Sequence, residues 1–406
     1  MSVLTNKMRL SNMAHNNPLV TGDEKIAVFG AGGQIGTKLK PLLEELYQGK
    51  VLYCDAPGLA EKKGMLPVDI TNPEKVTAFI KENNVKAVIN LAALLSAAAD
   101  EHPELARKVN LFAPLQLMEI CHKEGVKRVM MMSSMAAQEF SPHPDDTDEI
   151  KKMRAALQEE ASTSLVSIPK GSYGRAKLAM ELQASLYHDL GLGVVIPRLA
   201  GVLNAHTPWP SNGTTEELDK LVVAAAIHKV YGEKWQDELQ KRLQKYHPEA
   251  ATKGHYIKDG AYVPEVSADA TFDMVDGKTL PEAVLMTMHR DLHKNKFEPI
   301  VNVSEYTISM GQAAEILKSL DSQLPVKFAA SEEQGLDAGK MKRAKDWSAS
   351  QNTTTTKKII GEFQERPALS SIRDAYNNAV SALRAERMAE MDGAVAPRPD
   401  GKQALG

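Results

Sequence analysis

The sequence predicts an α/β protein: a doubly wound parallel sheet with a smaller C-terminal lobe. Three observations predict it. Short apolar runs alternate with helical patterns over the first half of the 406 residues, the order that builds a parallel sheet covered by helices on both faces. The first apolar run is followed by a glycine-rich turn and then a helix, the context that makes such a turn a phosphate-binding motif. From about residue 201 the strict alternation lapses, which predicts the second lobe.

Lys25-Ile26-Ala27-Val28-Phe29 is the first strand, Gly30-Ala31-Gly32-Gly33-Gln34-Ile35-Gly36 the turn, and Thr37 to Tyr47 a helical pattern. Gly30 permits a tight turn, Gly32 or Gly33 lets the backbone approach a pyrophosphate, and Gly36 lets helix and strand pack closely. The helix start offers unpaired N–H groups and a positive dipole end to phosphates. A second strand, Lys50-Val51-Leu52-Tyr53-Cys54, ends in Asp55. A carboxylate there accepts hydrogen bonds from an adenosine ribose and repels a 2′-phosphate, which favours NAD over NADP.

Asn72 and Pro73 cap and open a helix running to about Asn83. Ala87-Val88-Ile89-Asn90-Leu91 is a buried strand, Pro103 to Lys123 a helix, and Arg128 to Met132 the next strand. The methionines of that strand read as core filling. A helix over 173–190 and the strand Val194-Val195-Ile196 follow. Residues 139–170 are polar and charged and read as an inserted flap; residues 231–262 read as a charged helical excursion. The expected organisation is an N-terminal extension over 1–24, a nucleotide-binding domain over 25–200, a lobe over 201–385 with segments returning to the first domain, and a disordered tail over 386–406.

Composition narrows the function. With 49 basic and 52 acidic residues the formal charge is −3, so no basic field serves nucleic acid or an anionic membrane. No apolar run reaches the roughly 20 residues that span a bilayer. Cys54 and Cys121 are the only cysteines, too few for a disulfide framework, and read as buried free thiols. The first 22 residues carry Lys7 and Arg9, no acid and no apolar h-region. That is unlike a secretory signal, and leaves a mitochondrial presequence as the alternative to a cytoplasmic protein. His289 and His293 are four residues apart without nearby Cys or Glu ligands, so they read as a solvated helix face and no metal site is expected.

The chemistry concentrates at Tyr173 and Lys177, four apart on one helical face. An ammonium beside a phenol favours the phenolate, lowering its pKa from about 10 and fitting it for acid/base work on an alcohol or ketone. The strand 128–132 ends in Ser133-Ser134, where a hydroxyl at the ligand-binding edge orients a substrate oxygen.

With these residues assembled, the chain resembles the extended short-chain dehydrogenase/reductases over roughly residues 25 to 385. The likeness rests on Gly30, Gly33 and Gly36, on Asp55, on Val68-Asp69-Ile70, on Leu91-Ala92-Ala93, on Ser134 and on Tyr173/Lys177. It implies a Rossmann-type domain, NAD as cofactor, a small-molecule substrate and a homodimer. By the family pattern Gly30, Gly33, Gln34, Ile35 and Gly36 cradle the dinucleotide, Asp69 and Ile70 flank the adenine, and Leu91, Ala92 and Ala93 pass along the cofactor. Lys177 also holds the nicotinamide ribose, and Ser134 rather than Ser133 is the catalytic hydroxyl. A narrower likeness is to the short-chain type of L-threonine 3-dehydrogenase, through Gly33 to Thr37, Leu94-Leu95-Ser96-Ala97, Val109-Asn110, Gly213-Thr214-Thr215, Tyr306 to Ser309 and Asp346-Trp347. It implies that Ser96, Ser134, Thr214 and Thr215 contact an amino-acid-like substrate in the C-terminal lobe. Two departures bear on that substrate: Glu216-Glu217 stand where the pattern has Asp-Tyr, and Arg198-Leu199-Ala200-Gly201 where it has Arg-Tyr-Pro-Gly. The same apparatus serves nucleoside-diphosphate-sugar epimerases and dehydratases, and a catalytically silent NAD-binding protein would keep the glycine turn.

Overall fold

The structure, a computed structural model, describes residues 3–95, 99, 102–138, 147–150, 152, 169, 172–203, 216–246, 248–252, 256–290, 299–328 and 367–391. The strands are β1 Lys25–Phe29, β2 Val51–Asp55, β3 Leu66–Pro67, β4 Val85–Asn90, β5 Arg128–Met131, β6 Ser133–Ser134, β7 Gly193–Leu199, β8 Gly201–Leu203, β9 Tyr256–Lys258, β10 Ala261–Val263, β11 Thr271–Asp276, β12 Ile300–Val303 and β13 Tyr306–Ser309. The main sheet runs β3-β2-β1-β4-β5-β7-β12, with β6 also on β7, and every pairing in it is parallel. Strand order reverses beside β1, so a crevice opens above the carboxyl ends of β1 and β4, where such sheets take their ligands.

Side-chain alternation builds a core on each face of this sheet. Ile26, Val28, Ile89, Met130 and Val195 face one layer, Ala27, Phe29, Val88, Val129, Met131 and Val194 the other. The first layer is covered by α1 (Val3–Asn16), α2 (Gln34–Tyr47) and, from much later in the chain, Leu280–Met288. The second is covered by the helix Pro73–Glu82, by Pro103 to Lys123 with a π-helical stretch at Arg107–Phe112, and by Ser172–Asp189. Asn72 caps Pro73–Glu82 by accepting from Lys75 N at 3.0 Å. Cys54 and Cys121 are buried free thiols.

The described part of the N-terminal extension packs on the main domain. Leu10, Ala14, Leu19 and Val20 are buried in the first layer, and the Asn17 carbonyl lies 3.2 Å from His289 Nδ1. His289 is 2% exposed and its Nε2 lies 2.9 Å from the Tyr47 hydroxyl. The expectation of a solvated face at His289 is therefore wrong: the Asn17 carbonyl, just past the N-terminal helix, and the Tyr47 side chain enclose it. His293 lies outside the described residues.

The second lobe holds the mixed sheet β13-β11-β8 and the hairpin β9–β10, packed with Glu217–Tyr231, Trp235–Tyr246, Met310–Ser319 and Ala368–Met391. The charged excursion buries Trp235, Leu239 and Leu243 in this core. Strand β12 returns to the main sheet beside β7. The last helix runs to Met391, past the expected start of the tail at 386, and Glu386 accepts from Arg242 at 2.8 Å. No described helix is long and apolar enough to cross a membrane.

Candidate active site

The glycine turn sits at the carboxyl end of β1. Gly30 has φ +76°, and a Cβ there would lie 2.6 Å from Ala92 N. The turn and the 91–93 segment therefore touch backbone to backbone, a fit only glycine allows. Gly33 precedes α2 and no side chain caps that end, so the first-turn amides at Gln34 and Ile35 have no side-chain acceptor and suit an anion. Gly36 is buried against Ala31. Asp55, half-buried at the end of β2, accepts from Gly32 N and Ala56 N, both at 2.8 Å. Its carboxylate thus holds the turn to the end of β2. Lys63 donates to the Gly32 carbonyl at 2.7 Å.

Asp69 accepts from Thr71 N at 2.9 Å and from Thr71 Oγ1 at 2.7 Å, and Ile70 is buried beside it. Leu91, Ala92 and Ala93 leave β4 half-buried. The buried Asn90 side chain accepts from Ala92 N at 3.1 Å, and Asn110 brackets Leu94 by accepting from its N–H and donating to its carbonyl, both at 2.8 Å. One sheet edge thus presents helix amides without a side-chain cap, a carboxylate at the end of the second strand and a pinned apolar wall. The residues present fit NAD.

The second group stands further along the same edge. Tyr173 lies in the first turn of Ser172–Asp189, with the Ser134 hydroxyl beside its phenol. The approach depends on Gly174, where a Cβ would lie 2.3 Å from the Ala136 carbonyl oxygen. Ser134 Oγ also accepts from Ala136 N at 3.2 Å. Lys177 is 4% exposed, its Nζ 5.6 Å from the centre of the Tyr173 ring, and it donates to the Met132 carbonyl at 2.7 Å. Ser134, Tyr173 and Lys177 are therefore brought together.

Their proton affinities differ from the sequence expectation. Burial pushes the Tyr173 phenol up to about 12, with the Ser134 hydroxyl pulling the other way. Burial also brings the Lys177 amine down to about 8, opposed by the Glu181 carboxylate. Lys177 alone does not bring the phenol towards neutrality, because desolvation outweighs a cation whose nitrogen is already engaged by a carbonyl.

Ser96, Thr214 and Thr215 lie outside the described residues, as do Gly213, Asp346 and Trp347 and most of the 139–170 insertion. Glu217 is described, and it is turned inward. Its Oε1 accepts from Lys220 Nζ at 2.6 Å and its Oε2 from Glu265 N at 3.0 Å, while Lys220 also donates to Tyr256 OH at 2.9 Å. Burial raises the Glu217 pKa, with Lys220 opposing.

Sequence reasoning missed a buried set beneath Tyr173 and Lys177. Glu181 is fully buried and accepts from Ser133 Oγ at 2.5 Å, from Arg198 Nε at 2.8 Å and from Arg198 at its other oxygen at 2.6 Å. Two signals pointed there: Glu181 is one helical turn beyond Lys177, and Arg198 interrupts an apolar strand that can hold a charge only beside a partner.

Comparison with known proteins agrees with this geometry. An uncharacterized epimerase/dehydratase of Staphylococcus saprophyticus is 28% identical over 200 residues, 48% of this chain and 58% of that protein. One from Staphylococcus aureus strain USA300 is 26% identical over 203 residues, 48% of this chain and 57% of that protein. The chain thus spans less than two thirds of these relatives' length. Among solved structures, L-threonine dehydrogenase of Clostridium difficile has a TM-score of 0.66 at 20% identity, covering 90% of this chain and 99% of that one. A monomeric L-threonine 3-dehydrogenase from a metagenome has a TM-score of 0.66 at 22% identity, covering 88% and 99%. UDP-glucose 4-epimerase of Thermus thermophilus, solved with NAD, has 0.58 at 18%, covering 87% and 98%. These likenesses show the Rossmann-type fold. A family model matches residues 26–244, more than half of the 406, a span that takes in the glycine turn, Ser134, Tyr173 and Lys177. The chain belongs to the NAD dependent epimerase/dehydratase family.

Proposed function

We propose that the protein is an NAD-dependent oxidoreductase acting on the secondary alcohol of a small hydroxy-amino acid, with L-threonine, oxidised to 2-amino-3-ketobutyrate, as the favoured substrate. The observation that carries the reading is the meeting of Ser134, Tyr173 and Lys177 at the sheet edge that also bears the glycine turn. NAD, when bound, supplies the hydride acceptor and a positive charge on its oxidised ring. The chain supplies the rest. Ser134 holds the substrate oxygen, Tyr173 as phenolate takes the hydroxyl proton as the carbonyl forms, and Lys177 adds positive charge beside it. Gly30, Gly33, Gln34, Ile35, Gly36, Asp55, Asp69, Ile70 and Leu91 to Ala93 hold the dinucleotide. Ser96, Thr214 and Thr215 are proposed substrate contacts.

Fold-level likeness to threonine dehydrogenases supports the substrate class. Glu217, engaged by Lys220 and the Glu265 amide, leaves substrate recognition in this lobe to other groups. Likeness to an epimerase solved with NAD keeps a second reading in play: an epimerase or dehydratase would act on a nucleotide sugar without net release of NADH.

The test follows NADH absorbance while threonine, other hydroxy-amino acids and nucleotide sugars are supplied. Threonine-dependent NADH formation is expected, and isomerisation of a nucleotide sugar without it would replace the reading. Tyr173→Phe should abolish turnover, a loss of about a thousandfold or more for an acid/base group, while NAD affinity changes less than about threefold. Full activity in that variant would remove Tyr173 from the chemistry. We further propose a homodimer through the outer face of Ser172–Asp189, where Leu182 and Leu186 are exposed.

A further inference from the structure

Three consecutive residues of one strand end, Met132 to Ser134, each grip a different residue of one helix. The Met132 carbonyl takes Lys177 at 2.7 Å, Ser133 Oγ donates to Glu181 at 2.5 Å, and the Ser134 hydroxyl stands beside the Tyr173 phenol. Positions 173, 177 and 181 recur every four residues, so the strand end runs along a single stripe of the helix. Glu181 is the deepest of the three contacts, and it alone ties in a third element: Arg198 of β7, the register partner of Ser133.

We propose that Glu181 is a positioning residue of the reaction, holding Ser133 and Arg198 so that β6 and the Tyr173 helix keep the separation at which Ser134 and Tyr173 share one substrate oxygen. Stability alone does not account for the arrangement. A fully buried ion pair loses to desolvation most of what it gains by attraction, and an apolar pair of similar volume holds a fold about as well. Geometry does account for it. Burial and two Arg198 bonds fix Glu181, Glu181 fixes the Ser133 hydroxyl, and the next residue is Ser134. A displacement of about 1 Å between reacting groups costs about a hundredfold in rate. Arg198 pairs with Glu181 at 2.6 Å, and the Lys177 ammonium is the charge that faces the Tyr173 ring.

The inference rests on the proposed roles of Ser134 and Tyr173, and its test reads out with and without turnover. Glu181→Leu/Arg198→Met removes the pair while conserving volume; Ser133→Ala removes one strut and leaves the pair. In the double variant Tm and NAD affinity should stay near those of the parent, KM should change less than about threefold, and kcat should fall about tenfold to a hundredfold. Ser133→Ala should lower kcat about tenfold with Tm unchanged. Parent kcat in both variants, or activity that only tracks the folded fraction, overturns the proposal. If the double variant does not fold, Ser133→Ala decides alone. The second readout is the ¹⁹F resonance of 3-fluorotyrosine placed at position 173, expected to shift or broaden in both variants. If the parent oxidises no alcohol, the proposed function fails on its own and the resonance judges the positioning: a change supports it, and an unchanged line in both variants overturns it.

Discussion

A methyl group at Gly30 would lie 2.6 Å from the Ala92 nitrogen and 2.8 Å from the Leu91 carbonyl carbon. Relief would push the 91–93 wall away from the glycine turn or straighten the turn itself, and either change spoils the cradle. Gly49 supplies the control: it has φ +72° with nothing within 4 Å. Gly49→Ala should cost only the left-handed backbone, about 1 kcal/mol, and leave NAD affinity at the parent value. Gly30→Ala should cost several times that and weaken NAD binding by more than about tenfold, measured by quenching of protein fluorescence. Equal effects of the two substitutions would mean that the close approach at Gly30 is unimportant. This residue was legible in the sequence because a strand, a glycine turn and a helix in that order leave few other uses for a glycine. Tyr173 and Lys177 were legible through spacing, and Ser134 through its place at a strand end. Glu181 was not, because its partners Ser133 and Arg198 are 48 and 17 residues away in the chain, and the two local signals, its spacing from Lys177 and a charge within an apolar strand, do not say that they meet. The Tyr173 pKa was misread for the same kind of reason: four-residue spacing reports proximity to Lys177, whereas the opposing desolvation depends on everything packed around the phenol.

At the scale of elements, strands and helices of the first domain were readable because buried parallel strands are apolar on both faces and each is followed by an amphipathic helix. The N-terminal helix was not readable. Among its described side chains the buried ones, Leu10 and Ala14, are sparse among polar residues, and what they pack on includes residues 280–288, far along the chain. That docking has a pH signature. His289 is held near pKa 4, first by burial and then by the Arg128 charge, against the Asn17 carbonyl, which raises it. Because the folded value lies below the ordinary 6.5, the unfolded chain binds the extra proton between the two. Stability is thus fully present above about pH 6.5 and is lost as pH falls towards 4, by up to about 3 kcal/mol. Melting curves between pH 7 and 4 should show Tm falling more steeply in the parent than in His289→Gln, which carries no titrating group. Parallel curves would mean that His289 does not contribute to acid lability.

The lapse of alternation after about residue 201 coincides with a separate sheet, β13-β11-β8, while the return of β12 to the main sheet was legible only as a general expectation, since a four-residue apolar strand carries no address. Assembly is the property of the whole molecule that the exposed surface bears on. The Tyr173 helix buries Met180, Ala184 and Tyr187 against the domain, yet Leu182 and Leu186 at its far side are both 51% exposed, and Leu190, just past its end, is 54% exposed. Leu105 and Phe112, on the neighbouring helical segment, are exposed as well. Leucines recurring every four residues form a continuous apolar stripe, and covering a leucine side chain gains about 1.5–3 kcal/mol. A second copy related by a two-fold axis would cover the stripe with itself. The parent is therefore expected to run as a dimer in light scattering behind size exclusion, and Leu186→Glu, which sets a carboxylate in the middle of the stripe, as a monomer. The stripe lies on the helix that carries Tyr173 and Lys177, so pairing would also stiffen the acid/base pair. The monomeric variant should then keep its Tm within a few degrees and lose about two- to tenfold in kcat, an effect smaller than the roughly hundredfold of an ångström displacement. A parent that is monomeric at all concentrations, with Leu186→Glu equally active, would show that the stripe does not serve assembly.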